Sequence, residues 1–259
     1  MILTDVHSHL DHPKFNDLDE VIARAKEAGV KVIVSNGINP ETNRRVLELS
    51  KKYDIVKAAL GVYPVMQLKR EISEGSYPLK NVEFSVDDEL KFIEKNKSKI
   101  VAIGECGLDG IDKKWMAEQK DVFEKQIKLA KKLGKPIIVH SRKAEEDAVD
   151  MLEEAGVRKV VLHCFSGKKS LVKRAAELGY SFSIPTNVVF SEHFQNVVKE
   201  VNINQLFTET DAPYLGPFKG KRNEPANIIE GVKKIASIKG FEVEEVANNI
   251  WMNYQKLFS

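Results

Sequence analysis

The chain has 259 residues, 42% of them hydrophobic, and its 40 Lys and Arg nearly cancel its 38 Asp and Glu, leaving a net charge of +2. That balance excludes a global field that would draw in nucleic acid or an acidic membrane, so any such attraction must be local. The two cysteines, Cys106 and Cys164, have no C-x-x-C spacing, which speaks against a disulfide-stapled secreted domain and suits a reducing compartment. No apolar run approaches the roughly twenty residues of a membrane span. The N-terminus leads straight into a strand carrying Asp5, with no basic region or cleavage site. A cytoplasmic protein with no membrane contact and no obligate protein partner is expected.

In chain order, Ile2–Val6 predicts a short buried strand, followed by a loop over Leu10–Asn16 and a helix that Asp17 caps and that runs through Ala28 to Gly29. Lys31–Ser35 reads as a second strand, Pro40–Tyr53 as a helix and Ile55–Leu60 as a third strand. The connection 61–86, with Pro64, Gly75 and Pro78, is the least regular stretch and suggests a lid or side wall, or a plain excursion. Alternation then resumes. Strands are predicted at Ile100–Gly104, Pro136–Val139, Lys159–Leu162, Tyr180–Ile184 and Leu206–Glu209, with helices between them and two closing helices near 226–238 and 243–258. Eight β-rich runs alternating with helices predict one domain over 1–259, an α/β (β/α)₈ TIM barrel. An open doubly wound sheet is the alternative; against it, the first strand–helix turn lacks G-x-G-x-x-G.

The C-terminal ends of barrel strands are where chemistry collects. His7 and His9 stand at the first exit, Glu105 at the fourth, His140 at the fifth, His163 at the sixth and Asp211 at the eighth. Each alone has an ordinary explanation as a hydrogen-bonding or turn residue, but independent roles would not gather all six on one rim. His12, in a loop, and His193, near a helix start, are expected to be solvated. Six imidazole and carboxylate ligands exceed one tetrahedral zinc and suit two divalent ions sharing a carboxylate, with Zn or Mn (or Co or Fe) fitting better than an all-oxygen Mg site. Such a pair lowers the pKa of bound water, which implies metal-assisted hydrolysis. Asp5, on the same strand face, is either a further ligand or a group that orients a histidine.

Six blocks then carry a resemblance. Asp5-Val6-His7-Ser8-His9-Leu10-Asp11, Gly104-Glu105-Cys106-Gly107-Leu108-Asp109, Pro136-Ile137-Ile138-Val139-His140-Ser141-Arg142, His163-Cys164-Phe165-Ser166-Gly167, Glu209-Thr210-Asp211-Ala212-Pro213-Tyr214-Leu215 and Arg222-Asn223-Glu224-Pro225 resemble the TatD-like metal-dependent DNases of the amidohydrolase-type barrels. The resemblance implies a hydrolase acting on ester bonds, a deoxyribonuclease that trims single-stranded DNA from 3′ ends through a metal-bound hydroxide, with two divalent ions (Zn, Mn or Mg). It implies that His7, His9 and Asp211 hold one ion, that Glu105 bridges and that His140 and His163 hold the second. Asp211 would also take a proton from the attacking water.

Arg142 can reach a phosphate bidentately, with a salt-bridged rim residue as its other reading. Arg222 lies in the last block, and with Lys219 and Lys221 offers either a local positive patch for DNA or a solvated loop. Phe165 and Tyr214 either stack bases or pack in the core. One departure bears on substrate: where the family commonly has Gly-x-His-Pro, this chain has Gly61-Val62-Tyr63-Pro64. The Tyr63 hydroxyl can contact a phosphate but does not replace an imidazole one for one. The alternative function is hydrolysis of another ester or an amide, such as an aminoacyl ester, on the same centre; a non-catalytic metal-binding protein is a third.

Overall fold

A computed structural model describes residues 1–75 and 83–259. Its elements are β1 (Leu3–Ser8), α1 (Leu18–Glu27), β2 (Val30–Asn36), α2 (Pro40–Lys52), β3 (Val56–Leu60), α3 (Val65–Ser73), α4 (Val86–Lys95), β4 (Ile100–Gly107) and α5 (Met116–Leu133), then β5 (Ile137–His140), α6 (Glu145–Glu154), β6 (Val160–His163), α7 (Lys169–Glu177), β7 (Ser181–Pro185), α8 (Glu192–Glu200), β8 (Leu206–Glu209), α9 (Ile228–Lys239) and α10 (Val243–Phe258). The strands lie in the order β1 to β8, every neighbouring pair parallel. Helices cover the sheet, so strand residues such as Ile33, Ile103, Ile138, Leu162 and Phe207 are all buried. That is why the strands read as continuous apolar runs rather than alternating ones.

The seam between β8 and β1 closes the barrel, and an open sheet is thereby excluded. Asp211 N–H donates to His7 O and His9 N–H to Ala212 O, both at 2.9 Å, and Thr208 Oγ1 donates to Thr4 O at 2.6 Å. The buried Asp5 carboxylate completes the seam. It accepts from Thr210 N at 3.0 Å and Thr210 Oγ1 at 2.5 Å, and from His7 N at 3.2 Å. The protein is a (β/α)₈ TIM barrel, and among the described residues no helix is long and apolar enough to cross a membrane.

Several local expectations change. β1 runs two residues past Val6 and β4 three past Gly104, so His7 and Glu105 sit on strands rather than just after them. Gly107 allows this continuation: at φ 140° a Cβ there would lie 2.0 Å from His140 O, and only glycine lets β4 and β5 approach so closely. Asp17 precedes α1 but makes no cap bond, because Arg222 and Arg24 occupy its carboxylate. The connection expected to be irregular contains α3, whose Leu68 packs with Ile38 and Tyr63; the part of that expected lid or side wall at 76–82 lies outside the described residues. His12 is buried, not solvated: its loop folds inward, bringing Nε2 to 3.0 Å from Tyr214 Oη. His193 is half-buried with Nε2 3.0 Å from Phe165 O, and Phe165 itself is core, edge-on to Phe182.

Thr210→Val should test the seam. It leaves the Asp5 carboxyl, which burial lifts to about 8, short of its closest donor, and an unsatisfied buried polar group costs about 1–3 kcal/mol. A loss of that size in urea unfolding, with Thr210→Ser near wild type, is expected; an unchanged midpoint in Thr210→Val would show that the seam does not depend on this bond.

Candidate metal centre

Strand exits bring the six rim residues to one place. His7 Nε2 and His9 Nε2 are 3.3 Å apart. Glu105 Oε2 lies 3.5 and 3.4 Å from them, and Asp211 Oδ1 3.7 and 3.5 Å. A tetrahedral ion with bonds of about 2.0–2.1 Å sets its ligand atoms about 3.3–3.4 Å apart, so His7, His9 and Asp211 have the spacing of ligands to one divalent ion. Imidazole nitrogens and carboxylate oxygens this close are held together by a shared proton or a metal cation. The donor set therefore fits a metal. A second group forms around the other Glu105 oxygen: His140 Nδ1 is 3.1 Å and His163 Nε2 4.0 Å from Oε1. His7, Glu105 and His163 also offer ligand atoms within 4.8 Å of one another, so His7 lies between the two groups. Its ring stacks on His163 at 3.6 Å between centroids.

The far side of three imidazoles is held. His9 Nδ1 is 3.2 Å from Asn36 O, His140 Nε2 3.0 Å from Asp109 Oδ2 and His163 Nδ1 2.8 Å from Glu209 Oε2. An outer N–H given to an oxygen fixes the tautomer and leaves the inner nitrogen as a lone pair for a cation. Asp109 and Glu209 are themselves anchored: Ile111 N–H donates to Asp109 Oδ1 at 3.0 Å, while Ser183 Oγ and Cys164 N–H donate to Glu209 at 2.5 and 3.1 Å. Cys164 and Asp211 follow their strands at φ 44° and 50°, a left-handed conformation uncommon outside glycine and often stored at functional sites.

Neither Asp109 nor Glu209 had a role assigned from sequence, although both stand inside the quoted motifs. The signal is an acid two residues past the strand-exit glycine Gly107 and an acid two residues before Asp211.

Burial alone would raise the Glu105 carboxyl, but hydrogen bonds from His140 and His7 and the charge of nearby imidazoles hold it well below the carboxylate range. Asp211 is likewise lowered: burial raises it, and the His9 hydrogen bond and the charges of His163, His7 and His9 outweigh that. Burial pushes His9 and His163 down, yet their carboxylate partners lift them to about 9 and about 10. His7 is the exception, lowered by burial and by the charge of His163. The centre is thus an anionic nest that protons and metal ions compete to fill.

Over this floor lies a cavity of about 270 Å³ walled by Ile38, Tyr63, Tyr214 and the Glu71–Arg142 pair. Arg142 donates from Nε to Asp109 Oδ2 and from Nη2 to Glu71 Oε1, both at 2.6 Å. Tyr63 Oη lies 3.2 Å from His140 Nε2 and 3.5 Å from Arg142 Nη2. Of the three residues singled out for substrate contact, Arg142 and Tyr63 are therefore on the cavity wall. Arg222 is not. It donates to both Asp17 oxygens, at 2.5 and 2.8 Å, and to Lys14 O at 2.7 Å, so it ties two rim loops together.

The model of the family described as TatD related DNase matches residues 4–259. Human Deoxyribonuclease TATDN3 is 39% identical over 263 residues, spanning 99% of this chain and 94% of the human protein. YabD of Bacillus subtilis (strain 168), named a metal-dependent hydrolase, is 36% identical across 99% of each chain. Among solved structures, the TatD homologue YJJV of Escherichia coli K12 aligns with a TM-score of 0.87 at 29% identity, covering 99% of this chain and 97% of that one.

Two outcomes are expected. Glu209→Gln removes the anion behind His163 and should weaken metal binding about 10- to 100-fold, read by titration with a chelating dye; wild-type affinity would deny the carboxylate its role. Metal affinity should also climb with pH. His9 and His163 lose their protons only towards pH 9 and 10, so protons compete throughout the neutral range, and each one displaced steepens the rise by about tenfold per pH unit. A flat profile from pH 6 to 9 would contradict this electrostatic picture.

Proposed function

The chain belongs to the TatD-related DNase family of hydrolases, and from that premise we propose that it is a divalent-metal-dependent deoxyribonuclease that trims single-stranded DNA from its 3′ end. The observation that carries the reading is the convergence of His7, His9, Glu105 and Asp211 at 3.3 to 3.7 Å. In this reading residues 1–259 form one catalytic domain acting in the cytoplasm. His7, His9 and Asp211 would hold one ion, Glu105 would bridge, and His140 and His163 would hold the second; Zn, Mn and Mg are the ions to compare. When bound, such ions lower the pKa of water and neutralise charge on a phosphoryl group.

The chain's own groups do the rest. Asp211 lines the cavity and is held ionised by its imidazole neighbours, so its carboxylate takes the proton of the attacking water. Burial, with Glu71 and Glu105 nearby, keeps the Tyr63 phenol well above its usual range, so it remains a donor to a phosphoryl oxygen. Arg142 presents a guanidinium at the cavity mouth, fixed by Asp109, for a second phosphoryl oxygen.

One observation favours the competing reading, an ester or amide hydrolase on the same centre. Arg142 already faces two carboxylates, Asp109 and Glu71, which leaves the wall less cationic than a phosphate site needs. The deciding assay compares 3′-labelled single-stranded DNA with simple esters and amides, each with Mg, Mn and Zn. Stepwise loss of 3′ nucleotides is expected, and Asp211→Asn should lower kcat by about 10²–10⁴. Ester or amide turnover with intact DNA would replace the nuclease reading, and full activity in Asp211→Asn would remove the proposed base.

A further inference from the structure

Beside the metal cavity, aromatic rings and lysines alternate along one side of the rim. Tyr214 is part of the cavity wall; Phe218 follows on the same loop, and Phe190 lies just past β7. Lys14 Nζ is 5.1 Å from the Tyr214 ring centroid, Lys221 Nζ 5.7 Å from Phe218 and Lys219 Nζ 5.8 Å from Phe190. Phe190 and Phe218 are 48% and 47% exposed, and among the described residues only one other aromatic ring, Phe241, is a comparably exposed large hydrophobic. Two of those three rings thus each lie beside a lysine, and Lys219, next to Phe218 in sequence, is the one that reaches Phe190.

The cations are available to a ligand. Among the described residues Lys14, Lys219 and Lys221 make no ion pair, a state they share with other surface lysines such as Lys51 and Lys143; what sets them apart is that each stands beside an aromatic ring of this rim. Nor is the loop simply loose. Thr186 Oγ1 donates to Leu215 O at 2.9 Å, Asn223 Nδ2 donates to Thr210 O at 2.7 Å, and Arg222 holds Lys14 O at 2.7 Å. The rings and lysines are displayed from anchored backbone.

Exposed ring faces beside unneutralised ammonium groups make a poor seat for a purely apolar partner. They match a ligand in which flat bases alternate with phosphates, namely an unpaired nucleic acid strand. We propose that single-stranded DNA runs from the metal cavity past Tyr214 and over Phe218 and Phe190, its bases stacking on those rings and its phosphates meeting Lys14, Lys219 and Lys221. The proposal rests on the nuclease reading for the choice of DNA, and on the surface itself for the path. It also accounts for a chain of net charge +2 handling a polyanion: the attraction is concentrated in three lysines along the path.

The test measures binding and turnover on a thymidine dodecamer and on a dinucleotide too short to leave the cavity. The proteins are wild type, Phe190→Ala/Phe218→Ala, Phe190→Leu/Phe218→Leu and Lys219→Ala/Lys221→Ala, with binding read by fluorescence anisotropy. Removing both rings should weaken dodecamer binding at least about tenfold and raise KM with kcat retained, so that the preference for the longer strand collapses. The leucine pair should behave like the alanine pair, because it restores apolar area without a ring face. The lysine pair should flatten the salt dependence by about 0.7 for each phosphate no longer neutralised.

Wild-type dodecamer affinity in the alanine pair, or full recovery in the leucine pair, overturns the stacking path. So does binding of blunt duplex as tight as that of the single strand. Ring-dependent binding without any cleavage upholds the path and sinks the nuclease reading; cleavage with all variants alike does the reverse; neither binding nor cleavage ends both.

Discussion

The rim is built on one carboxylate that touches neither ring of the histidine pair. Asp5, fully buried, gathers the His7 and Thr210 backbone N–H groups and the Thr210 hydroxyl, and so fixes β1 against β8. His7 and His9 come from one side of that seam and Asp211 from the other. A slip of one residue in a strand moves its side chains to the opposite face, which would separate the histidines from their carboxylate. A cage with edges near 3.5 Å tolerates no such error, so the seam and the centre are one construction.

Around this lies an electrostatic problem that the fold solves in layers. Glu105, Asp109 and Glu209 are all buried, and a buried anion is tolerable only when it is paired and hydrogen-bonded; Asp5 escapes the problem because burial lifts its carboxyl to about 8. Asp109 and Glu209 meet that condition by facing His140 and His163 from behind, with backbone and hydroxyl donors on their remaining oxygens. Glu105 meets it by standing among the imidazoles. A cation that binds only the folded state adds stability by mass action, so a centre this rich in carboxylates links the barrel's stability to its ligand.

How much of this was legible beforehand follows from what sequence patterns record. Apolar runs between helices marked the eight strands, and a barrel puts strand ends on one rim, so His7, His9, Glu105, His140, His163 and Asp211 were traceable to a common place. Periodicity cannot record which face of a loop turns inward, and His12 shows it: the loop residue reaches Tyr214 and is buried. Nor does an acid announce its partner. Asp17 sits where a helix cap belongs, yet Arg222 and Arg24, some 205 and 7 residues away in sequence, claim its oxygens. Glu209 and Asp109 stayed without roles for the same reason, since their meaning depends on histidines delivered by other strands. α3 was obscured by the glycine and prolines around it, which mark turns without excluding a short helix between them.

Arg142 shows what such pairing does to recognition. Its side chain is 43% exposed, yet its Nε already donates to Asp109 and its Nη2 to Glu71, carried on α3. An incoming anion is therefore in exchange with an incumbent, and its affinity at that point is the difference between two contacts rather than the full strength of one. A small anion attached only there gains little by replacing Glu71. Affinity at that point is thus set by a salt bridge inside the protein as much as by the anion that arrives.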